Sequence, residues 1–115
     1  MTSVIVARHP IADYDLGWIV ALFEGEGCVS RMRVGWQLEL KMTDEDVVRH
    51  FADIIGIGSV HGPYQEQGRR SHVKPYWSWH CGRREDILNI VGLFAPLMGT
   101  RRANKMTECF NDLVR

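Results

Sequence analysis

Leu16-Gly17-Trp18-Ile19-Val20-Ala21-Leu22-Phe23-Glu24-Gly25-Glu26-Gly27 is the stretch on which the fold of this 115-residue chain turns. Its apolar run predicts a helix over 16–24, ended by the glycines at 25 and 27. Small residues recur every four positions, at Gly17, Ala21 and Gly25. That spacing puts them on one helical face, where a second backbone can come close. Tight packing within one monomer accounts for such a stripe equally well. Glu24 and Glu26 lie at the helix C-terminus, where the dipole is already negative, so carboxylates there are unfavourable unless a cation compensates. The flanking glycines leave backbone carbonyls accessible, and a carboxylate beside free carbonyl oxygens makes a hard-oxygen site suited to Mg²⁺. Two solvated acids at a frayed helix end are the alternative on these residues alone.

Outward from this stretch the pattern switches period. Two strand-like runs follow at about 28–34 and 36–42, and in the second Trp36, Leu38, Leu40 and Met42 alternate with Gln37, Glu39 and Lys41. Such alternation describes a strand with one buried and one polar face. For the first run, alternation groups Val29, Arg31 and Arg33, and the arginines are taken as exposed. Thr43, three residues before Asp46, reads as an acidic variant of the capping box that opens a second helix. Val47, Val48, Phe51, Ile54 and Ile55 form its apolar stripe, and Gly56 stops it. A second strand pair is expected at about 58–63 and 75–81, joined by the polar stretch YQEQGRRSHVK. There Trp77, Trp79 and Cys81 alternate with Tyr76, Ser78 and His80. A third helix carries Ile87, Leu88, Ile90, Val91 and Phe94 and ends at Pro96. A last helix over about 101–114 turns Met106, Phe110 and Leu113 inward. The order is αββαββα with an extra C-terminal helix: an α+β two-layer domain with helices on one face of the sheet and the other face open and polar.

Composition sets the limits. A chain of this length with 45% hydrophobic residues suits one compact domain over 1–115. No run approaches the ~18 apolar residues of a membrane span, and the N-terminus lacks the layout of a signal peptide, so an intracellular protein is expected. Cys28, Cys81 and Cys109 are odd in number and widely spaced, and read as buried reduced thiols. His61, His72 and His80 match no zinc spacing. Fourteen basic residues balance fourteen acidic ones, yet the bases gather at Arg31, Arg33 and Lys41, at Arg69, Arg70, His72 and Lys74, and at Arg101, Arg102 and Lys105. A neutral sum does not favour nucleic acid; the clustering does.

WIVALFEGEGCV resembles the LAGLIDADG signature: an apolar helix, then acid, Gly, acid, Gly and a strand. LELKMTDEDVVRHFADIIGIGSV is similar to that family's second strand, second helix and following G-x-G turn. YWSWHCGRREDILNIVGLFAPLMGTRR resembles its fourth strand, third helix and the ending of Pro-x-Leu followed by a basic residue. The likeness covers roughly residues 16–110 in the family's order.

The resemblance implies a saddle-shaped, four-stranded antiparallel sheet lying in the DNA major groove. It also implies a homodimer through the motif helix, with Gly17, Trp18, Ala21 and Glu24 at the interface. The family's metal-binding acid maps to Glu26, with the Gly25 carbonyl as a second ligand for Mg²⁺ or Mn²⁺. Glu24, two residues away on the helix, points elsewhere and should not share the metal. The further catalytic positions fall on Lys41, on Asp44 (or Thr43), where the family often has glutamine, and on Arg101, or Arg102 if the register slips by one. The DNA-binding set is Arg31, Arg33, Gln37, Glu39, Lys41, Arg69, Arg70, Lys74, Tyr76, Ser78 and His80. The activity implied is that of a sequence-specific, metal-dependent DNA endonuclease of an intron, intein or phage mobile element. It would make double-strand breaks at a long, near-palindromic site in double-stranded DNA. The alternative is a non-cleaving DNA- or RNA-binding protein, a maturase or regulator, on the same scaffold.

Overall fold

Helix formation starts earlier and stops later than the apolar run alone predicts. In the computed structural model, which describes residues 4–6, 9–65 and 74–115, helix α1 spans Asp13–Glu26. Asp13 and Asp15 in its first turn suit the positive end of the dipole. At the other end the helix runs through Gly25, and Gly27 is already the first residue of a strand. Ahead of α1 lies a short antiparallel hairpin of β1 (Val4–Val6) and β2 (His9–Ile11), which the sequence pattern did not single out.

Four strands form the main sheet: β3 (Gly27–Arg31), β4 (Trp36–Met42), β5 (Ser59–Tyr64) and β6 (Tyr76–Cys81). Their order is β3-β4-β6-β5, with every neighbouring pair antiparallel. Helix α2 (Glu45–Ile55) links the two hairpins, α3 (Arg84–Phe94) follows β6, and α4 (Thr100–Val114) closes the chain. The architecture is the expected αββαββα plus a terminal helix.

One face of the sheet carries the core. Phe23 of α1, Phe51 of α2, Phe94 of α3 and Trp79 of β6 are fully buried, and Phe23 lies 5.8–6.5 Å, ring to ring, from each of the other three. Trp79 satisfies its indole by donating to the Ile57 carbonyl at 2.9 Å. Gly56 ends α2 in the left-handed conformation (φ 74°), which costs glycine little.

Four local expectations are corrected. The capping box at Thr43 does not form: Asp44 is the N-cap of α2, and its backbone carbonyl accepts from the Val47 and Val48 amides. The first strand ends at Arg31, because residues 32–35 make a tight turn closed by Met32 N–H to the Gly35 carbonyl at 2.8 Å. Phe110 is 37% exposed, and Cys109 occupies the inward position beside Met106. Cys28 is exposed, whereas Cys81 and Cys109 are buried; burial pushes their thiols up to about 12 and about 11, which keeps them protonated and inert.

Candidate nucleic-acid interface and metal site

At the end of α1 the two motif acids divide. Glu24 turns into its own chain: its Oε1 accepts from the Gly99 amide at 2.7 Å, at the N-cap of α4. A carboxylate there meets the positive end of that helix. Glu24, expected from the sequence at an interface between protomers, is thus engaged within its own chain. Glu26, the last residue of α1, is exposed. Arg102 answers from α4 by donating to the Gly27 carbonyl, and its Nε is buried with no hydrogen-bond partner among the described residues. Two bonds thus clamp the start of α4 to the turn that holds Glu26.

The two motif glycines past Glu24 differ in kind. A Cβ on Gly27 would stand 2.4 Å from the Phe23 ring, so only glycine fits. A Cβ on Gly25, or on Gly17, would meet nothing within 4 Å. Neither helical glycine has a packing reason inside the monomer, although each costs about 0.5–1 kcal/mol relative to alanine. Gly17, Trp18, Ala21 and Gly25 all lie exposed on α1, with Tyr14 one turn earlier and 80% exposed.

The remaining catalytic expectations converge in part. Gly27, which follows Glu26, pairs with Leu40, which precedes Lys41. Lys41 pairs in turn with Ser78, and its ammonium lies 5.6 Å from the centre of the Tyr76 ring. Arg101 and Arg102 line a groove of about 460 Å³ together with Gly27, Cys28 and Lys105. Asp44 is exposed at the start of α2. Among the described residues no three His, Cys, Asp or Glu side chains gather to hold a metal. At the end of α1 the exposed Glu26 carboxylate and the last-turn backbone carbonyls are oxygen donors of the kind a hard cation takes.

On the open face of the sheet, Gln37, Glu39, Lys41, Tyr76, Ser78 and His80 stand on the side predicted. They are joined by Cys28 and Ser30 of β3 and by Ser59 and His61 of β5, which sequence reading missed. Counting alternation back from Trp36 through the turn would have found the β3 pair. The same count corrects Arg31: it shares the helix side with Val29, stacks 5.7 Å over Trp36 and pairs with Asp112 of α4 at 3.6 Å. The Trp36 indole donates to Asp112 at 2.8 Å and, with Arg31 and Arg115, holds that carboxyl below its ordinary value. Arg33 is exposed in the turn and Lys74 is exposed ahead of β6, while Arg69 and Arg70 lie outside the described residues. Ser78 is on the open face yet only 1% exposed, covered by its neighbours.

No protein-family model matches the sequence, and no curated protein matches it in sequence. Among solved structures, the homing endonuclease I-CvuI in complex with its DNA target superposes with a TM-score of 0.68 over 87% of this chain and 66% of its own, at 10% identity. The archaeal intron-encoded I-Vdi141I, bound to DNA, gives 0.61 at 15% identity over 89% of this chain and 70% of its own. I-TnaI, also a homing endonuclease, gives 0.60 at 18% identity, covering 86% and 71%. This is the LAGLIDADG homing-endonuclease fold. The chain spans just under two thirds of the length of I-CvuI. Within the LAGLIDADG fold, the motif helix is α1, the open face is the polar side of β3-β4-β6-β5, and α4 is the extra helix. No helix among the described residues is long and apolar enough to cross a membrane.

Proposed function

We propose that this chain is a sequence-specific DNA endonuclease that acts as a homodimer and cuts both strands of a near-palindromic site. The observation that carries the reading is the outer side of α1: a bare stripe of Gly17, Ala21 and Gly25 on the one helix that ends in an exposed carboxylate. Two copies packed through that stripe bring two Glu26 side chains to one axis, and two-fold symmetry in the protein calls for two-fold symmetry in the DNA. Glu26 and the Gly25 carbonyl would hold Mg²⁺ or Mn²⁺, which supplies an activated water and neutralises charge on the phosphate. Lys41, next to the Leu40 that pairs with Gly27, and Arg101, which lines the groove beside Gly27, would add positive charge near the same point. The open face meets base edges, and Arg33, Arg69, Arg70 and Lys74 meet the flanking backbone.

Asp44, where the family often carries glutamine, favours a second reading: a DNA- or RNA-binding protein that does not cut. Incubation with a pool of randomised duplexes and Mg²⁺, with recovery of cut ends, decides between them. Defined ends with two-fold symmetry support the endonuclease; a selected sequence left uncut supports the second reading; absence of binding overturns both.

A further inference from the structure

Gln37, His80, Ser78 and Glu39 form one hydrogen-bonded series across β4 and β6. Gln37 Nε2 lies 3.0 Å from His80 Nδ1, His80 Nε2 lies 2.8 Å from Ser78 Oγ, and Ser78 Oγ donates to Glu39 Oε2 at 3.1 Å. With the His80 ring neutral, the chemistry of the ends sets the directions between them. An amide nitrogen can only donate, so His80 Nδ1 accepts; the neutral ring then carries its hydrogen on Nε2 and donates to Ser78. Ser78 passes its own hydrogen to a carboxylate, which can only accept.

We propose that His80 is a positioning residue for base recognition: by accepting from Gln37 it locks the Gln37 amide in the orientation that reads adenine. This rests on the reading of the open face as a DNA-binding surface. With one N–H committed to His80, Gln37 keeps one amide hydrogen and its Oε1 free. That donor and acceptor side by side match adenine N7 and N6 in the major groove. Without the His80 acceptor, the amide has no fixed orientation in the unbound protein and must be ordered on binding. Ser78, being buried, contacts no base; it sets which ring nitrogen of His80 accepts.

The experiment is the base-preference profile of the homodimer on randomised duplexes, read from the bound fraction in Ca²⁺. One position in each half-site should favour adenine and lose that preference in Gln37→Ala. His80→Ala should cut the same preference about five- to tenfold, within the range expected for a bidentate contact, and leave the other positions unchanged. His80→Asn, whose Oδ1 can replace Nδ1 as acceptor, should restore it. The double variant Gln37→Ala/His80→Ala should match Gln37→Ala alone. Ser78→Ala, which frees the tautomer but leaves the ring in place, should give a smaller loss at the same position, readable even where His80→Ala folds poorly. A wild-type profile in both His80→Ala and Ser78→Ala, or a flattening spread evenly over all positions, would overturn the role of His80 with DNA binding intact. A wild-type protein that selects no sequence would overturn the DNA reading of this face itself.

Discussion

Helices α1 and α2 cover the same face of the sheet and turn similar residues inward, yet their outer sides have little in common. Inward, Ile19, Val20 and Phe23 of α1 match Val48, Phe51 and Ile55 of α2. Outward, α2 sets the His50 ring 4.8 Å from that of Trp18 of α1 and otherwise shows Glu45, Arg49 and Asp53, with Arg49 and Glu45 paired at 2.8 Å. That is a solvated surface needing nothing more. Outward, α1 shows Tyr14, Gly17, Trp18, Ala21 and Gly25, with no charge between Asp15 and Glu24. A helix apolar on both sides is one built to be covered twice. The contrast is what supports the outer side of α1 as the surface of the proposed homodimer.

The two inward faces should respond alike. Phe23→Ala and Phe51→Ala should each cost roughly 3–5 kcal/mol of unfolding free energy in denaturant titrations, the usual range for emptying a buried phenylalanine site. A much smaller cost for Phe23→Ala would mean that α1 is held by a partner more than by its own core. The helix ends should then diverge. Glu26→Gln should lower cleavage by ~100-fold or more, at or beyond the 10–100-fold typical of groups one step removed from a metal, while binding in Ca²⁺ persists. Near-wild-type cutting by that variant would remove Glu26 from the site. Glu24→Gln should instead lower stability, by about 1 kcal/mol for one weakened hydrogen bond, and damage cleavage clearly less.

The outer faces give the sharpest contrast. Ala21→Leu should push the motif helices apart at roughly 1–3 kcal/mol for overpacking, and sedimentation should show monomer. Asp53→Leu, a comparable enlargement on the outer side of α2, should leave assembly unchanged. Equal behaviour of the two variants would place the dimer axis elsewhere.

Much of the fold was readable in the chain because its periods are clean. The alternation at 36–42 and the stripe at 47–55 report burial directly, and the bare spacing of 17, 21 and 25 survives as an exposed face. The misreadings sit where period gives no phase. Arg31 and Val29 alternate together, and only the length of the turn at 32–35 decides which side of the sheet they share. The engagement of Glu24 within its own chain was not legible because its partner, the Gly99 amide, lies 75 residues away. Cys28 was taken as buried from its residue type, although its strand position turns it to the open face. The extension of α1 through Gly25 overrides a local stop signal.

The smallest predicted effect concerns the far end of α4. Asp112 is held ionised by the Trp36 indole, then by Arg31 and Arg115, so its stabilising contribution is full above the ordinary carboxylate range. That contribution is lost as pH falls through the lowered value. The melting-temperature gap between wild type and Asp112→Asn should be present at neutral pH and close on acidification below ~3.9, the ordinary Asp value. A gap that persists unchanged at low pH would show that the ionised state of Asp112 is not what stabilises this end of α4. No gap at neutral pH would show that the neutral amide serves Trp36 as well as the carboxylate does.

The series from Gln37 to Glu39 also bears on how this protein can diverge. Each link of the series joins two members, so replacing one by a side chain that cannot make the same bond leaves its neighbour with an unmet donor or acceptor. Intermediates in a stepwise change are thus less fit than either end state. Descendants of this chain should vary at 37, 39, 78 and 80 together, as a linked block, while Arg33 in the solvent-exposed turn drifts one substitution at a time.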